Sequence, residues 1–426
     1  MQLQLRRQRN KYQLVIICLV MLFSLYMPYS SITSIIYQLF VVMVTLLVGK
    51  DSAISIIMIL IFSTTRSFIA VSTQQEFVEY LGINPLMLLI CEIGLFCLCI
   101  FKQRGVFRIS LPILSLMGFA SLMFLSQVWA SSTKEYNELY NSICLLYVVT
   151  PFLMKDEEDI YYRHIAFILS GAFLAIGIIP HLLSLGSIYT YQVRVDRNYQ
   201  ASLLLMCILE TIVFLTEHYK KTSKLGAIAC MLVIIGDMYI LLTSASRSAF
   251  LALLIAVCIF IALNLSGKKK RLLPIIILVL SFIILFEMGL FNTVLERFEL
   301  NDTASGNGRM DLWREYLAGF FEGNILQLFF GHALVGQLKF GKAAHNLFIS
   351  VLYSFGLVGT ILLITVISAI IRGLYQSGHK NYFISFIPIL FMCMSIEPYY
   401  RVEFAIYLSS LLATSQIYCR RKKYVV

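Results

Sequence analysis

The chain has 426 residues, of which 59% are hydrophobic and 13% charged, and its formal net charge is +11. That composition excludes a water-soluble globule of one or two domains and places the chain in a bilayer. The positive charge is no nucleic-acid signature, because the basic residues sit in short clusters between long apolar runs, where they orient spans.

The apolar runs lack strand-like alternation, and every backbone group in lipid must be satisfied within its own segment. The expected fold is therefore all-α: one transmembrane domain over 1–426, about 12–14 transmembrane helices and one long extracytoplasmic loop, 291–344. A basic start (Arg6, Arg7, Arg9, Lys11) precedes an apolar run from Leu14 to Met27 without a small-residue cleavage site, which reads as an uncleaved first span. In chain order the fourteen candidate spans are 13–30, 32–48, 52–70, 83–101, 110–130, 137–154, 164–182, 199–216, 225–243, 248–265, 272–290, 345–371, 382–397 and 400–419. None of the ten Cys falls in the long polar segment, so they read as apolar fillers and support neither a disulfide framework nor a metal site.

With the N-terminus inside, 23 of the 34 Lys and Arg fall on the cytoplasmic side, Lys155 and Arg163 among them. Both termini are then expected in the cytoplasm. The loops on that side are about ten residues long, against the roughly 100 of a nucleotide-binding domain, so direct use of a nucleotide sugar or ATP is not expected. The outer face receives 291–344, the loop 183–198, the turn before Ser248 and the short turn holding Glu397 and Arg401.

That outer face carries eight Arg but only three Lys. A planar guanidinium matches phosphate oxygens and stays ionised near lipid. Arg194, Arg247 and Arg309 lie on three outer segments, each beside the end of a span, where they could converge on a diphosphate; the competing reading is interfacial snorkelling against lipid headgroups. Arg247 stands among small hydroxyl residues at a helix start, where free N–H groups favour an anion. Arg194, Arg197 and Asn198 precede another span. The turn Ser305 to Gly308 leads into an amphipathic helix with Met310, Trp313, Leu317, Phe320 and Phe321 on one face and Arg309 at its positive end. His345 and Asn346 stand at the lip of a span, with Gly356 about 16 Å further down it and Gly359 beyond, the pair allowing a close helix crossing. His345 can serve there as a base or as a helix cap and interfacial anchor. Of four acids written into spans, Glu287 and Asp237 are expected near the outer cavity, whereas Glu92 and Glu210 are expected to pair within the bundle or stay protonated.

An outer Arg before Asn, the run Thr243 to Leu251, Gly308-Arg309 with Trp313, and His345-Asn346 followed after nine residues by Gly356 and Gly359 resemble the O-antigen polymerase and ligase superfamily over roughly 190–360. The resemblance implies a metal-independent glycosyltransferase without cofactor, acting on an undecaprenyl-diphosphate-linked glycan at the outer face of the bacterial cytoplasmic membrane. It implies Arg194, Arg247 and Arg309 on the diphosphate and His345 activating the acceptor hydroxyl, with Asp196, Glu397 and His332 as other candidate bases. Arg197, Asn198, Asn346, Arg314 and Arg401 complete the candidate substrate contacts. Polymerisation of lipid-linked repeat units into capsule, O-antigen or exopolysaccharide is the leading expectation. Ligation to lipid A core or another acceptor uses the same donor, and a flippase is the reading from another class. Membrane lipids, a chain-length regulator and a flippase of the same pathway are the expected partners.

Overall fold

The computed structural model describes residues 70–73, 76–79, 109–129, 137–185, 197–218, 222–264, 289–299, 308–333 and 339–425, with isolated positions elsewhere. The expected spans 13–30, 32–48, 52–70, 83–101 and 272–290 lie mostly outside these residues, as do Arg194, Asp196 and Glu92.

The protein is helical, as its apolar runs require. Among the described residues its helices are α1 (Leu111–Ser126), α2 (Asn137–Leu153), α3 (Glu157–Leu185), α4 (Arg197–Glu217), α5 (Lys224–Thr243), α6 (Arg247–Asn264), α7 (Leu290–Glu299), α8 (Arg309–Phe321), α9 (Ile325–Phe330), α10 (Leu347–Ser377), α11 (Phe383–Met392) and α12 (Val402–Val425). The expected spans 110–130, 137–154, 199–216, 225–243 and 248–265 coincide with α1, α2, α4, α5 and α6 within a few residues. Four helices, Glu157–Ile179, Asn198–Glu217, Lys224–Thr243 and Leu347–Ser377, are long and apolar enough to cross a membrane. The chain is a multi-pass membrane protein. One small departure from the all-α expectation is an antiparallel hairpin, β1 (Ala70–Thr73) with β2 (Glu76–Glu79), pairing Val71 with Val78 and Ser72 with Phe77.

The long outer segment is less loop-like than expected, since α7, α8 and α9 occupy much of it. Phe291 of α7 packs edge-on against Phe250 of α6, 5.7 Å between centroids, so the start of this segment belongs to the helical bundle.

Helix α4 is the centre of the bundle, its whole apolar window buried. That burial explains why its sequence is apolar all round rather than amphipathic. Helices α3, α5, α6 and α11 pack on it, and α12 packs on α2 and α10. Contacts sort into two ends. At one, Glu217 meets His379 and Asn381, Arg421 meets Glu157, and Gln416 meets Ser110. At the other, Tyr199, Ser246, His345 and the turn 397–401 gather. The 31-residue α10 connects the same two ends as the 21-residue α4. Straight helices of those lengths would measure about 46 and 31 Å, so tilt and a break absorb the excess.

The break is at Gly356, with φ 65° and ψ −163°. The expected role of Gly356 and Gly359 in a close crossing therefore divides. Gly359 packs toward Leu122 of α1, 3.3 Å from where a Cβ would lie, while Gly356 interrupts the helix. Backbone from the α9 end fills the gap: the His332 N–H donates to the Tyr353 carbonyl at 2.9 Å, replacing a bond the break removes.

Arg163 is not the cytoplasmic loop charge that its sequence position suggests. Helix α3 begins at Glu157, two turns early, and carries Arg163 into the bundle, where it is fully buried. Its guanidinium grips Glu210 of α4 with two bonds of 2.6 and 2.9 Å and donates to Ser410 of α12 at 2.9 Å. His164 stands 2.8 Å from the same carboxylate and 2.9 Å from the Tyr382 hydroxyl. Glu210 therefore pairs within the bundle, as expected.

Asp237 does not border an outer cavity. It is fully buried against Gly171 of α3, and neither carboxyl oxygen has a hydrogen-bond partner among the described residues. A Cβ at Gly171 would overlap that carboxyl and stand 3.0 Å from Val233 Cγ1. Gly171→Val is expected to destabilise the protein by about 1–3 kcal/mol through overpacking, measured as a lower Tm in detergent; an unchanged Tm would show that α3 and α5 are not packed this closely. Glu287 is exposed.

Candidate functional site

The end of the bundle that holds Tyr199 and the turn 397–401 is built from helix starts. Asn198 follows the first residue of α4, Arg197, and its side-chain carbonyl accepts from the Ser246 hydroxyl at 2.9 Å. Ser246 immediately precedes Arg247, which opens α6 and is half-buried. The two helix starts that hold the candidate residues 197, 198 and 247, separated in sequence by an α-helical hairpin, are thus joined through Asn198 and Ser246. One residue on, Tyr199 meets the Tyr400 hydroxyl and accepts from the Glu397 N–H at 3.4 Å.

The turn 397–401 is the hub. Pro398 starts a short 3-10 turn that holds Tyr399 and Tyr400 against the bundle. The Tyr399 carbonyl accepts from Tyr147 of α2 at 3.0 Å, and its hydroxyl meets Ser350 of α10 at 3.1 Å. Arg401 lies over the Tyr199 ring at 4.4 Å and the Tyr400 ring at 5.6 Å. No carboxylate pairs with Arg401 among the described residues, and its buried Nε has no hydrogen-bond partner there. A guanidinium held over aromatic rings is fixed in place with N–H groups left to meet an anion.

Glu397 is 5% exposed, and one carboxyl oxygen accepts the His345 N–H at 2.8 Å. Burial raises this carboxyl to about 7, although bonds from Ser350 and from the backbone of His345 and Ala344 pull the other way. The bond joins the hub to α10, where His345 adopts φ 51°. Asn346 caps α10, its side-chain oxygen accepting from the N–H groups of Phe348 and Ile349 at 3.0 and 3.2 Å. That oxygen is engaged in the cap, leaving the amide nitrogen for the substrate contact expected of this residue.

Helix α8 is fastened to the same corner. Trp313 Nε1 donates to the Ala344 carbonyl at 2.8 Å, and the Tyr316 hydroxyl donates to the Lys342 carbonyl at 2.9 Å. Arg309, first residue of α8, is four residues, about 6 Å of rise, before Trp313 on the same face. The buried stripe of α8 is Tyr316, Gly319 and Phe320, whereas Met310 and Phe321, expected on the same apolar face, are exposed. Arg314 lies on the exposed side and pairs with Asp311 at 3.1 Å. His332, another candidate base, stacks on Tyr353 with centroids 4.6 Å apart; burial lowers its pKa, with Lys339 adding to the shift.

Three non-glycine residues among those described have positive φ: Ala245, Ala333 and His345. Two of them flank this site, beside Arg247 and at its histidine. Such backbone costs about 1–3 kcal/mol and persists where the surroundings over-determine it, commonly at functional sites. The rim thus brings Arg197, Asn198, Arg247, Arg309, His345, Asn346 and Arg401 into one set of linked elements, with Arg314 at its exposed margin. Sequence reasoning missed the tyrosines 199, 399 and 400 that organise it; the only signal was their place beside Asn198 and Arg401.

Residues 228–364 match the family model described as O-antigen ligase. The match is to that stretch, about a third of the chain. The match agrees with the superfamily resemblance and contains Arg247, Arg309, Trp313, His345 and Asn346, and it ends before Glu397 and Arg401. No curated protein gave a significant match to the chain. The matched stretch therefore supplies three sides of the rim, α6, α8 and the start of α10. The fourth side, Tyr199 on α4 and the 397–401 turn, lies outside it.

Proposed function

We propose that this protein polymerises undecaprenyl-diphosphate-linked oligosaccharide repeat units into a surface polysaccharide at the outer face of the bacterial cytoplasmic membrane. The observation that supports this most is the joining of the helix starts at Asn198, Arg247 and Asn346 to the turn that holds Glu397 and Arg401. Cations gathered at one end of an apolar bundle suit a donor whose charged diphosphate lies at the surface and whose tail lies in lipid. Arg247, Arg309 and Arg401 hold the diphosphate, with Arg194 and Arg197 on the same side. Fixed cations aimed at a leaving group act mainly as its negative charge develops. His345 accepts the proton of the acceptor hydroxyl as that oxygen bonds to the anomeric carbon and the carbon–phosphate oxygen bond breaks. Both termini face the cytoplasm in this orientation.

Purified protein incubated with lipid-linked repeat units alone is expected to give a ladder of oligomers. Arg247→Ala and His345→Ala are each expected to lower turnover by about 100-fold or more with the protein still inserted. Product only when lipid A core or another acceptor is added would make the protein a ligase. Normal chain length in both variants would overturn the site and return transport as the reading.

A further inference from the structure

Glu397 occupies a position that the donor-site cations do not explain. It is a buried carboxyl at the junction of α4, α8, α10 and the turn before α12, and none of its bonding partners is a cation. It accepts from the backbone of His345, whose φ is left-handed, and of Ala344 just before it. The Ala344 carbonyl in turn holds Trp313 of α8. A left-handed histidine is unfavourable on its own, so something must hold it there. The carboxyl that receives its N–H is the group placed to do so.

We propose that Glu397 is the positioning residue of this site, its carboxylate fixing the Ala344–His345 corner and, through Trp313, the first turns of α8 in the arrangement that presents His345 and Arg309 to a ligand. A hydrogen bond to a charged acceptor is roughly twice as strong as one to a neutral acceptor, so protonation loosens the corner. The groups around Glu397 are His345, Tyr199 from α4, Tyr316 from α8 and Tyr399 and Tyr400 from its own turn, with Arg401 stacked on Tyr199 and Glu403 beyond it. Burial holds the hydroxyls of Tyr199, Tyr316 and Tyr399 in their neutral form, whereas Glu397 ionises at about 7.

The signs follow from burial. Unfolded, the carboxyl ionises near 4.5; folded, it ionises at about 7. The stability it contributes in neutral form is present below 4.5 and lost as pH rises through 7. The corner tightens over the upper part of the same window. Global stability and local order thus move in opposite directions.

Two tryptophans make this readable without any substrate. With Trp129→Phe in the full-length protein in nanodiscs, Trp313 is the only tryptophan and is excited selectively at wavelengths where tyrosine does not absorb. Its emission is expected to shift with pH around about 7, to keep that transition in His345→Gln and to lose it in Glu397→Gln. A transition that disappears in His345→Gln and survives in Glu397→Gln, or no transition in the parent, overturns the proposal. The proposed reaction enters only in a second arm, where turnover on lipid-linked repeat units should rise through the same pH range, flatten in Glu397→Gln and partly return in Glu397→Asp. Emission that titrates without product at any pH would remove the proposed reaction and leave the positioning role standing.

Discussion

Replacing Arg163 by alanine is expected to cost about 3–5 kcal/mol and to remove most of the folded protein from the membrane, because it leaves Glu210 as a buried charge without its partner. The guanidinium is fully buried and makes three bonds, two to Glu210 and one to Ser410, so α3, α4 and α12 all lose their polar link at once. His164 cannot take over, since it approaches a single carboxyl oxygen and also contacts Tyr382. The measurement is the monodisperse yield and Tm of Arg163→Ala against Arg163→Leu/Glu210→Leu. The double variant removes both charges and should recover much of the loss, as apolar replacement of a buried pair often does. An Arg163→Ala protein of normal yield and Tm would show that Glu210 is neutral or hydrated in the bundle.

The second large effect is expected at Gly356. Its φ of 65° with ψ of −163° belongs to a region that only glycine occupies comfortably. The space is also taken: a Cβ would run into the Phe329 carbonyl and stand 2.7 Å from the Gly331 nitrogen, both backbone atoms that cannot swing aside. Gly356→Ala therefore either straightens α10 and expels the end of α9 or leaves both strained. The bond from His332 to the Tyr353 carbonyl goes with it, and so does the stacking of those two rings. Since α8 shares the Tyr316–Tyr353 cluster, Arg309 and Trp313 lose their seat. We expect turnover to fall by about 100-fold, as oriented catalytic groups a single ångström out of place can cause, and Trp313 emission to shift. The Tm of the bundle should change less than in Arg163→Ala. Normal turnover and emission in Gly356→Ala would mean that the break is not needed to seat α8 and α9.

The boundaries of α1, α2, α4, α5 and α6 were legible in the sequence because lipid imposes one simple rule, that a span be apolar and about 20 residues long. The same rule misjudged Arg163. A charge near the end of an apolar run looks like a loop residue, and only a partner on another helix, Glu210 47 positions away, shows otherwise. Asp237 was misjudged in the same manner: helical rise gave its depth, but the facing Gly171 decided that it is enclosed. On α8 the amphipathic pattern was present, yet hydropathy alone could not separate the side facing lipid from the side facing Tyr353. Both can be apolar in a membrane protein.

For the candidate site, the sequence by itself determined which residue types stand at helix starts on one face: Arg247, Arg309, His345 and Asn346 are there because arginine, histidine and asparagine are tolerated where a span meets the surface. Tertiary structure alone decided which of these starts share a corner. Tyr199 and Glu397 are 198 positions apart, yet they bond, and Glu397 in turn reaches across to His345. Hydropathy is a property of each segment and can be read one segment at a time. The left-handed turn at His345, the break at Gly356 and the junction around Glu397 are fixed by partners distant in the chain, so they exist only once the helices have packed.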